Sequence, residues 1–173
     1  MTKTELAWAA GLVDGEGCLH ISYTPPGKMR GTINAVHSLY LKVAMTDKKT
    51  IYHLWHLFGL GSVQLQCSKK KNHGIAYSWL CCAQEAATAI RAIRPYLITK
   101  AEEADVAIEF AAIPRQKGSS WPTQKKLLLR RHACYTRMCR LKPTNRRRGI
   151  FPKKLDLALP SKNSHYKHPR KAV

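Results

Sequence analysis

The sequence predicts an α+β fold in which helices pack on one face of a four-stranded antiparallel sheet. Four short stretches alternate between apolar and polar residues, and a period of two is typical of half-buried strands. Segments of helical character precede, separate and follow these stretches, which gives the order α-β-β-α-β-β-α-α through residue 113, before a further predicted helix. Because helices on one face of such a sheet leave the opposite face open, and the residues facing that side are polar, that face is free to contact a partner.

The amino-terminal half predicts a helix, a pair of strands and a second helix. Residues 18–24 and 33–45 both alternate, and a turn rich in proline and glycine between them favours antiparallel pairing. Asp47 predicts the N-cap of the following helix, which Gly59 and Gly61 end.

The second half predicts the remaining two strands and three helices. Residues 62–67 and 76–81 predict strands joined by a basic hairpin loop over residues 69–74. The side chains predicted to face the helices are Leu19, Ile21, Tyr23, Leu39, Leu41, Val43, Val63, Leu65, Cys67, Tyr77, Trp79 and Cys81. The further helices are predicted over residues 85–94, 101–113 and 124–141. The last of them is basic and amphipathic, and a loop running to Pro122 is expected before it.

The charge of the chain is strongly positive and unevenly distributed. Thirty Lys and Arg residues against ten Asp and Glu give a net charge of +20, which indicates a polyanionic partner, with nucleic acid as the leading candidate. Residues 1–113 carry 12 basic and nine acidic side chains, whereas residues 114–173 carry 18 basic and one acidic. We therefore expect a folded core over 1–113 and a basic carboxy-terminal helix and arm over 114–173.

The sequence also indicates the cellular compartment of the protein. Six cysteines without a Cys-x-x-Cys spacing are typical of reduced thiols in an intracellular protein rather than of a disulfide framework. A zinc site built on His132, Cys134 and Cys139 lacks a fourth ligand at a convincing spacing. Neither a membrane span nor a signal peptide is expected. We expect an intracellular protein of the cytoplasm, an organelle interior or the nucleoid, not a secreted one.

The most informative stretch is AAGLVDGEG, residues 9–17, which closes the first helix with acidic residues and glycines. Ala7 and Gly11 lie one turn apart with Ala10 beside them, so this helix offers a face of small residues that another helix can approach closely. The glycines after it allow a tight turn, and the two acids can divide capping and ligation between them. A buried small-residue helix that ends in an ordinary Asp-Gly turn is the alternative.

Residues 9–17 resemble the signature of the LAGLIDADG homing endonucleases, and the predicted element order through about Ile113 is similar to that family's domain. Two further stretches strengthen the resemblance. Residues 44–47 leading to residues 58–61 are similar to the segment between the family's two hairpins. Residues 95–100 are similar to the segment that brings a lysine to the active site.

The resemblance implies that this chain works as a homodimer. The chain holds one copy of the motif, which supplies only half of the family's central helix pair and half of its active site. The residues expected at the interface are Ala7, Ala10, Gly11 and Asp14.

The resemblance also implies metal-dependent hydrolysis of DNA. Glu16 would bring a carboxylate, and Gly15 a peptide carbonyl, to Mg²⁺ or another hard divalent ion such as Mn²⁺ or Ca²⁺. Lys100 would be the catalytic lysine, while Asp14 is expected to brace the turn rather than bind metal. One departure is Met45, which stands where homodimeric members often have a glutamine that helps to order water.

The expected mode of recognition follows from the size of the sheet. A strand of about ten residues spans roughly 33 Å, so each subunit would follow the major groove over about ten base pairs, and the dimer would bind a long, approximately palindromic target. The base-facing candidates are His20, Ser22, Thr24, Ser38, Tyr40, Lys42, Gln64 and Gln66. The basic runs expected to contact nucleic acid are Lys69, Lys70 and Lys71 in the hairpin loop and Arg146, Arg147 and Arg148 in the arm.

Two other classes of function remain open at this point. A LAGLIDADG-fold protein that binds nucleic acid without cutting it, as an intron-splicing maturase or a regulator, would share the fold, although Glu16 and Lys100 argue for retained cleavage. A basic protein that packages RNA or joins a ribosome would explain the charge but not residues 9–17.

Overall fold

The computed structural model of the protein describes residues 1–26, 35–66, 75–114, 121–142 and 153–155. Within them the elements follow the predicted order, and the predicted α+β fold with its four-stranded antiparallel sheet is confirmed. The helices are α1 (Lys3–Glu16), α2 (Lys48–Phe58), α3 (Ala83–Ile93), α4 (Ala101–Ala112) and α5 (Trp121–Leu141), with a 3-10 turn (Arg94–Tyr96) between α3 and α4. The strands are β1 (Gly17–Thr24), β2 (Val36–Met45), β3 (Ser62–Gln66) and β4 (Ala76–Cys82).

The sheet has the strand order β1-β2-β4-β3, and every neighbouring pair is antiparallel. Leu19 pairs with Leu41, and Val43 pairs with Trp79, so apolar side chains of neighbouring strands share one face. These four side chains are fully buried beneath the helices. The alternation read from the sequence therefore assigns the two faces correctly for these strands, and the polar alternates lie opposite the helices.

Two side chains differ from their predicted exposure. Leu65 pairs with Tyr77 and so lies on the helix side, yet it is 56% exposed, because β3 is an edge strand with a neighbour on one side only. Ser78 alternates with Tyr77 and Trp79 and lies on the opposite face beside Gln64, as alternation predicts, yet its side chain is completely buried, since β4 lies between β2 and β3. Cys67 and residues 33–34, also assigned to strands from the sequence, lie outside the described residues.

The ends of two helices show where local sequence patterns predict a helix boundary correctly and where they do not. The carboxylate of Asp47 accepts a hydrogen bond from the Thr50 amide at 3.1 Å, and Gly59 ends α2 with a φ of 60°, as predicted. α5 begins at Trp121, three residues earlier than predicted, so the expectation of a loop up to Pro122 was wrong. Proline is tolerated in a first helical turn because its missing N–H has no partner there anyway.

α1 passes into β1 without a loop. Asp14, Gly15 and Glu16 are all helical and β1 begins at Gly17, so the tight turn predicted over these four residues is wrong. A Cβ on Gly17 would lie 2.5 Å from the Val13 carbonyl oxygen, which makes glycine necessary where the chain leaves the helix. Glu16 consequently stands at the very end of a helix, directly before a strand.

α5 packs against α4 and β1 and adds to the hydrophobic core. Its side chains Cys134, Tyr135 and Met138 are buried. The guanidinium of Arg131 lies 4.6 Å from the centre of the Phe110 ring on α4, a cation–π contact between the two helices. None of the described helices combines the length and apolar character that a membrane span requires.

Candidate active site and nucleic-acid interface

Asp14, in the last turn of α1, binds the segment that leads into α4. Its carboxylate accepts hydrogen bonds from the backbone amides of Ile98 (2.7 Å), Thr99 (3.3 Å) and Lys100 (2.9 Å), and from the Thr99 hydroxyl (2.9 Å). Burial raises the pKa of Asp14, but these hydrogen bonds outweigh it and hold the pKa below its ordinary value. Lys100, the N-cap residue of α4, makes no side-chain capping hydrogen bond, and the Asp14 carboxylate instead binds the three backbone amides that end at this residue.

Lys100 is held beside the carboxyl end of α1. Its ammonium donates a hydrogen bond to the backbone carbonyl of Asp14, and its side chain is half-buried. The last carbonyls of a helix lack intrahelical partners and carry partial negative charge, so a cation is favoured there. The fold thereby brings Lys100 to a helix end that Glu16 terminates, although the two lie far apart in the sequence.

Glu16 is the last residue of α1, and its side chain is exposed. Within the described segments, no hydrogen bond or ion pair occupies its carboxylate. The carbonyl of Gly15 belongs to the same last turn, where carbonyl oxygens have no intrahelical donor. Together they offer two hard oxygen donors at one place on the surface, which is the chemistry that Mg²⁺, Mn²⁺ and Ca²⁺ prefer.

A complete metal centre does not form within the residues that the structure describes, since no group of three or more His, Cys, Asp or Glu side chains converges there. The Glu16 carboxylate and the Gly15 carbonyl are two oxygen donors, fewer than the six ligands that a hard divalent ion such as Mg²⁺ takes.

α1 presents an exposed strip of small residues. Ala7, Gly11 and Gly15 are exposed, and a Cβ added at either glycine would meet no atom within 4 Å. Trp8 lies beside the strip and is 39% exposed. Ala10, assigned to the same face from its spacing, is instead fully buried within its own chain, because that side of α1 packs onto β2 and α3. The strip is therefore narrower than the sequence predicted.

The sheet face opposite the helices, here called the outer face, carries the residues predicted to read DNA. Strand pairing puts on this side His20, Ser22, Thr24, Ser38, Tyr40, Lys42, Gln64 and Gln66. The ring of His20 stacks on Tyr40, with centroids 4.9 Å apart and planes inclined by 13°. Burial lowers the pKa of His20, and the charges of Lys142 and Lys42 act in the same direction. The Nδ1 atom of this ring is buried and has no hydrogen-bond partner among the described residues, so Nε2 is the ring nitrogen left for a ligand.

The two basic runs singled out in the sequence cannot be placed on this surface. Lys69, Lys70 and Lys71, together with Arg146, Arg147 and Arg148, lie outside the described residues.

Sequence reasoning missed a buried histidine pair under α5. The Nε2 atom of His37 lies 3.1 Å from Nδ1 of His132, and the rings of Tyr23 and Tyr135 pack around them. Burial lowers the pKa of His37 to about 4, with the charges of His132 and Arg131 acting in the same direction. The sequence does contain a signal for the burial of His37. It stands two residues before Leu39 of β2, and side chains two positions apart in a strand lie on the same face.

Solved structures share this architecture. The homing endonuclease I-CvuI in complex with the I-CreI target, in the presence of Mg, matches with a TM-score of 0.65 and 18% identity over 90% of this chain and 88% of that chain. I-CvuI in complex with its own target, in the presence of Ca, matches with a TM-score of 0.63 and 18% identity over 81% of this chain and 83% of that chain. No protein-family model and no curated protein sequence matches the chain.

The LAGLIDADG homing endonuclease I-GzeII in complex with its DNA target gives a TM-score of 0.62 at 14% identity. That match covers 92% of this chain and 54% of the other, so this chain spans about half of I-GzeII. The strand order and these structural similarities show that the chain has the fold of the LAGLIDADG homing endonucleases, so the resemblance of residues 9–17 is confirmed at the level of the fold.

Proposed function

We propose that the protein is a site-specific homing endonuclease that cleaves double-stranded DNA by metal-dependent hydrolysis as a homodimer. The observation that carries the proposal is the set of hydrogen bonds from residues 98–100 to Asp14, which holds Lys100 at the end of the helix that Glu16 terminates. A carboxylate for a metal and a fixed cation for phosphate charge are two groups that phosphodiester hydrolysis uses.

Each residue has a distinct role in this proposal. The Glu16 carboxylate and the Gly15 carbonyl hold the divalent ion, which when bound supplies Lewis-acid stabilisation and a more acidic water. Lys100 stabilises the charge that develops on the phosphate oxygens. Because Asp14 already fixes Lys100 through its backbone and its ammonium, little reorganisation is needed as that charge develops.

A second copy of the chain completes the site in this proposal. The donor set of one chain fits half of a shared centre, and the small-residue strip on α1 ends next to that half. Two α1 helices that cross at Ala7 and Gly11 can approach closely, because neither residue has a bulky side chain. A two-fold axis at the crossing then brings both Glu16 residues to the same junction.

The outer face and the charge of the chain support DNA as the substrate. β2 has ten residues and so spans roughly 33 Å, about one turn of duplex. The stacked pair of His20 and Tyr40 places polar side chains of the kind that can contact base edges on this face, while a net charge of +20 favours a polyanion. The I-CvuI and I-GzeII structures are themselves DNA complexes.

The direct test is cleavage of a randomised duplex library in Mg²⁺, followed by sequencing of the cut ends. We expect the ends to share one long, approximately palindromic sequence. Enrichment of bound duplexes without cut ends in either Mg²⁺ or Mn²⁺ would identify a binding protein of the same fold, such as a maturase or regulator. Neither binding nor cleavage would overturn the proposal altogether.

A further inference from the structure

A second polar link joins the end of α5 to both sides of the candidate site. Lys142 directly follows α5, and its ammonium lies 3.2 Å from Oε2 of Glu103 and 3.6 Å from Sγ of Cys18. Cys18 is the second residue of β1, two positions after Glu16. Glu103 lies in the first turn of α4, three positions after Lys100. The link therefore bridges the two elements that carry the candidate catalytic groups.

This link is far more enclosed than the other ion pair between α4 and α5. The side chains of Lys142 and Glu103 are 19% and 12% exposed, whereas those of Arg137 and Glu109 are 53% and 52% exposed. Enclosing two charges carries a desolvation cost that an exposed pair avoids, so an enclosed pair is weak evidence for stability. A role in fixing local geometry accounts better for its position.

We propose that Lys142 is a positioning residue for phosphodiester cleavage. By joining Glu103 on α4 to Cys18 on β1, it sets the distance between Lys100 and Glu16. The inference rests on the proposed function, because the distance matters only if the two groups act on one phosphate. Displacements of about 1 Å are enough to cost a large part of a catalytic rate.

Asp14 and Lys142 hold different parts of the candidate site together. Asp14 ties residues 98–100 to the last turn of α1, and Lys142 ties the first turn of α4 to the start of β1. The ammonium of Lys142 is directed at Glu103 and Cys18 and is little exposed, so phosphate is not its partner in this arrangement. Cys18 pairs with Lys42 and so belongs to the outer face, and loss of the link is expected to loosen α4 against β1 and to change that face only near Cys18 and His20.

The first test compares single-turnover cleavage with DNA affinity in Lys142→Met, which removes the charge and keeps the apolar stem. We expect cleavage to slow roughly 10- to 100-fold while the Kd changes less than about threefold. Arg137→Met is the matched control, because it breaks the exposed pair between the same two helices and should cleave at the wild-type rate. Lys142→Arg should recover part of the rate, because it restores a cation beside Glu103.

A double variant separates positioning from stability. Glu103→Gln with Lys142→Met leaves no unpaired charge, so its stability should recover while cleavage stays as slow as in Lys142→Met. Wild-type cleavage by the double variant would show that the pair serves folding alone and would overturn the proposal. Equal losses of rate and affinity in Lys142→Met would also overturn it, since they would identify a phosphate contact.

Amide hydrogen exchange tests the same inference without any cleavage. In Lys142→Met the amides of Ile98, Thr99 and Lys100 should exchange faster than in the wild type, and in Arg137→Met they should not. Unchanged exchange in Lys142→Met would overturn the positioning role. If the wild-type protein cuts no duplex, the proposed function fails, and exchange alone then decides whether Lys142 holds this junction.

Discussion

Asp14 binds Lys100 twice: its carboxylate accepts the Lys100 amide at 2.9 Å, and its backbone carbonyl accepts the Lys100 ammonium. The amino end of α4 is thus fastened to the carboxyl end of α1. The hydrogen bonds fix both the backbone and the charged tip of one lysine. A side chain restrained in this way is suited to act at a defined point rather than as a mobile surface cation.

Replacing Lys100 with methionine should slow single-turnover cleavage about 100-fold and change the Kd for DNA less than about threefold, because the charge acts mainly in the transition state. Lys42→Met is the contrasting variant. Lys42 lies on the outer face, so its loss should weaken binding and leave the rate at saturating protein unchanged. Equal losses of rate and affinity in Lys100→Met would show that Lys100 only binds a phosphate and does not stabilise the transition state.

Glu16→Gln should abolish Mg²⁺-dependent cleavage, with a loss of roughly 1,000-fold or more, because it removes the charge that holds the metal and keeps the side-chain shape. DNA affinity measured in Ca²⁺-free buffer should remain close to the wild-type value. Glu102→Gln, which neutralises another exposed carboxylate, is the control and should cut normally. Undiminished cleavage by Glu16→Gln would remove Glu16 from the mechanism.

The buried His37 should make stability depend on pH. Its pKa is about 4 in the folded chain against an ordinary value of 6.5, so the unfolded chain binds the proton more tightly. The free energy of unfolding therefore falls as pH falls from about 6.5 towards 4. Between about pH 7.5 and about pH 5.5 the contribution of His37 amounts to roughly 1 kcal/mol.

Urea denaturation at several pH values checks this, with His37→Phe as the variant that removes the titrating group. The wild-type protein should lose more stability than His37→Phe as the pH is lowered through this range. His56→Phe, on the exposed side of α2, should follow the wild-type curve. Parallel curves for wild type and His37→Phe would show that His37 does not titrate in this way.

Most of the fold follows from local patterns, because a period of two assigns strand faces and a capping residue marks a helix end. The alternation around Leu19 and Leu41 and the cap at Asp47 are cases of this kind. The exposure of Leu65 and the burial of Ser78 were not predictable, since each depends on the position of its strand in the sheet. Strand order is a long-range property that alternation does not encode.

The candidate site also has parts that the sequence predicts and parts that only the folded structure shows. Glu16 and Lys100 were singled out through the family resemblance, which supplied a pairing that composition and periodicity do not contain. The hydrogen bonds from residues 98–100 to Asp14 join distant parts of the chain, so no local sequence pattern predicts them. Lys142 is one cation among many in a basic region, and only packing of α5 against α4 and β1 distinguishes it.

Gly11→Leu should prevent assembly while the single chain still folds. A side chain at Gly11 meets no atom within 4 Å in its own chain, and leucine is a better helix former than glycine by up to about 1 kcal/mol. Between two crossing α1 helices the same side chain would force the axes apart and separate the two Glu16 carboxylates. Sedimentation should give a monomer or a loosened dimer, and cleavage should fail although Glu16 and Lys100 are unchanged.

Two controls make this outcome specific to the helix crossing. Gly11→Ala adds little bulk and should keep both the dimer and cleavage, whereas Ala133→Leu makes a comparable enlargement on the exposed side of α5 and should behave as the wild type. Thermal unfolding should show that Gly11→Leu remains folded. The shared active site is wrong if the wild-type protein sediments as a monomer both free and on its target. It is also wrong if Gly11→Leu forms an intact dimer that cuts normally, because a close crossing at Gly11 leaves no room for leucine.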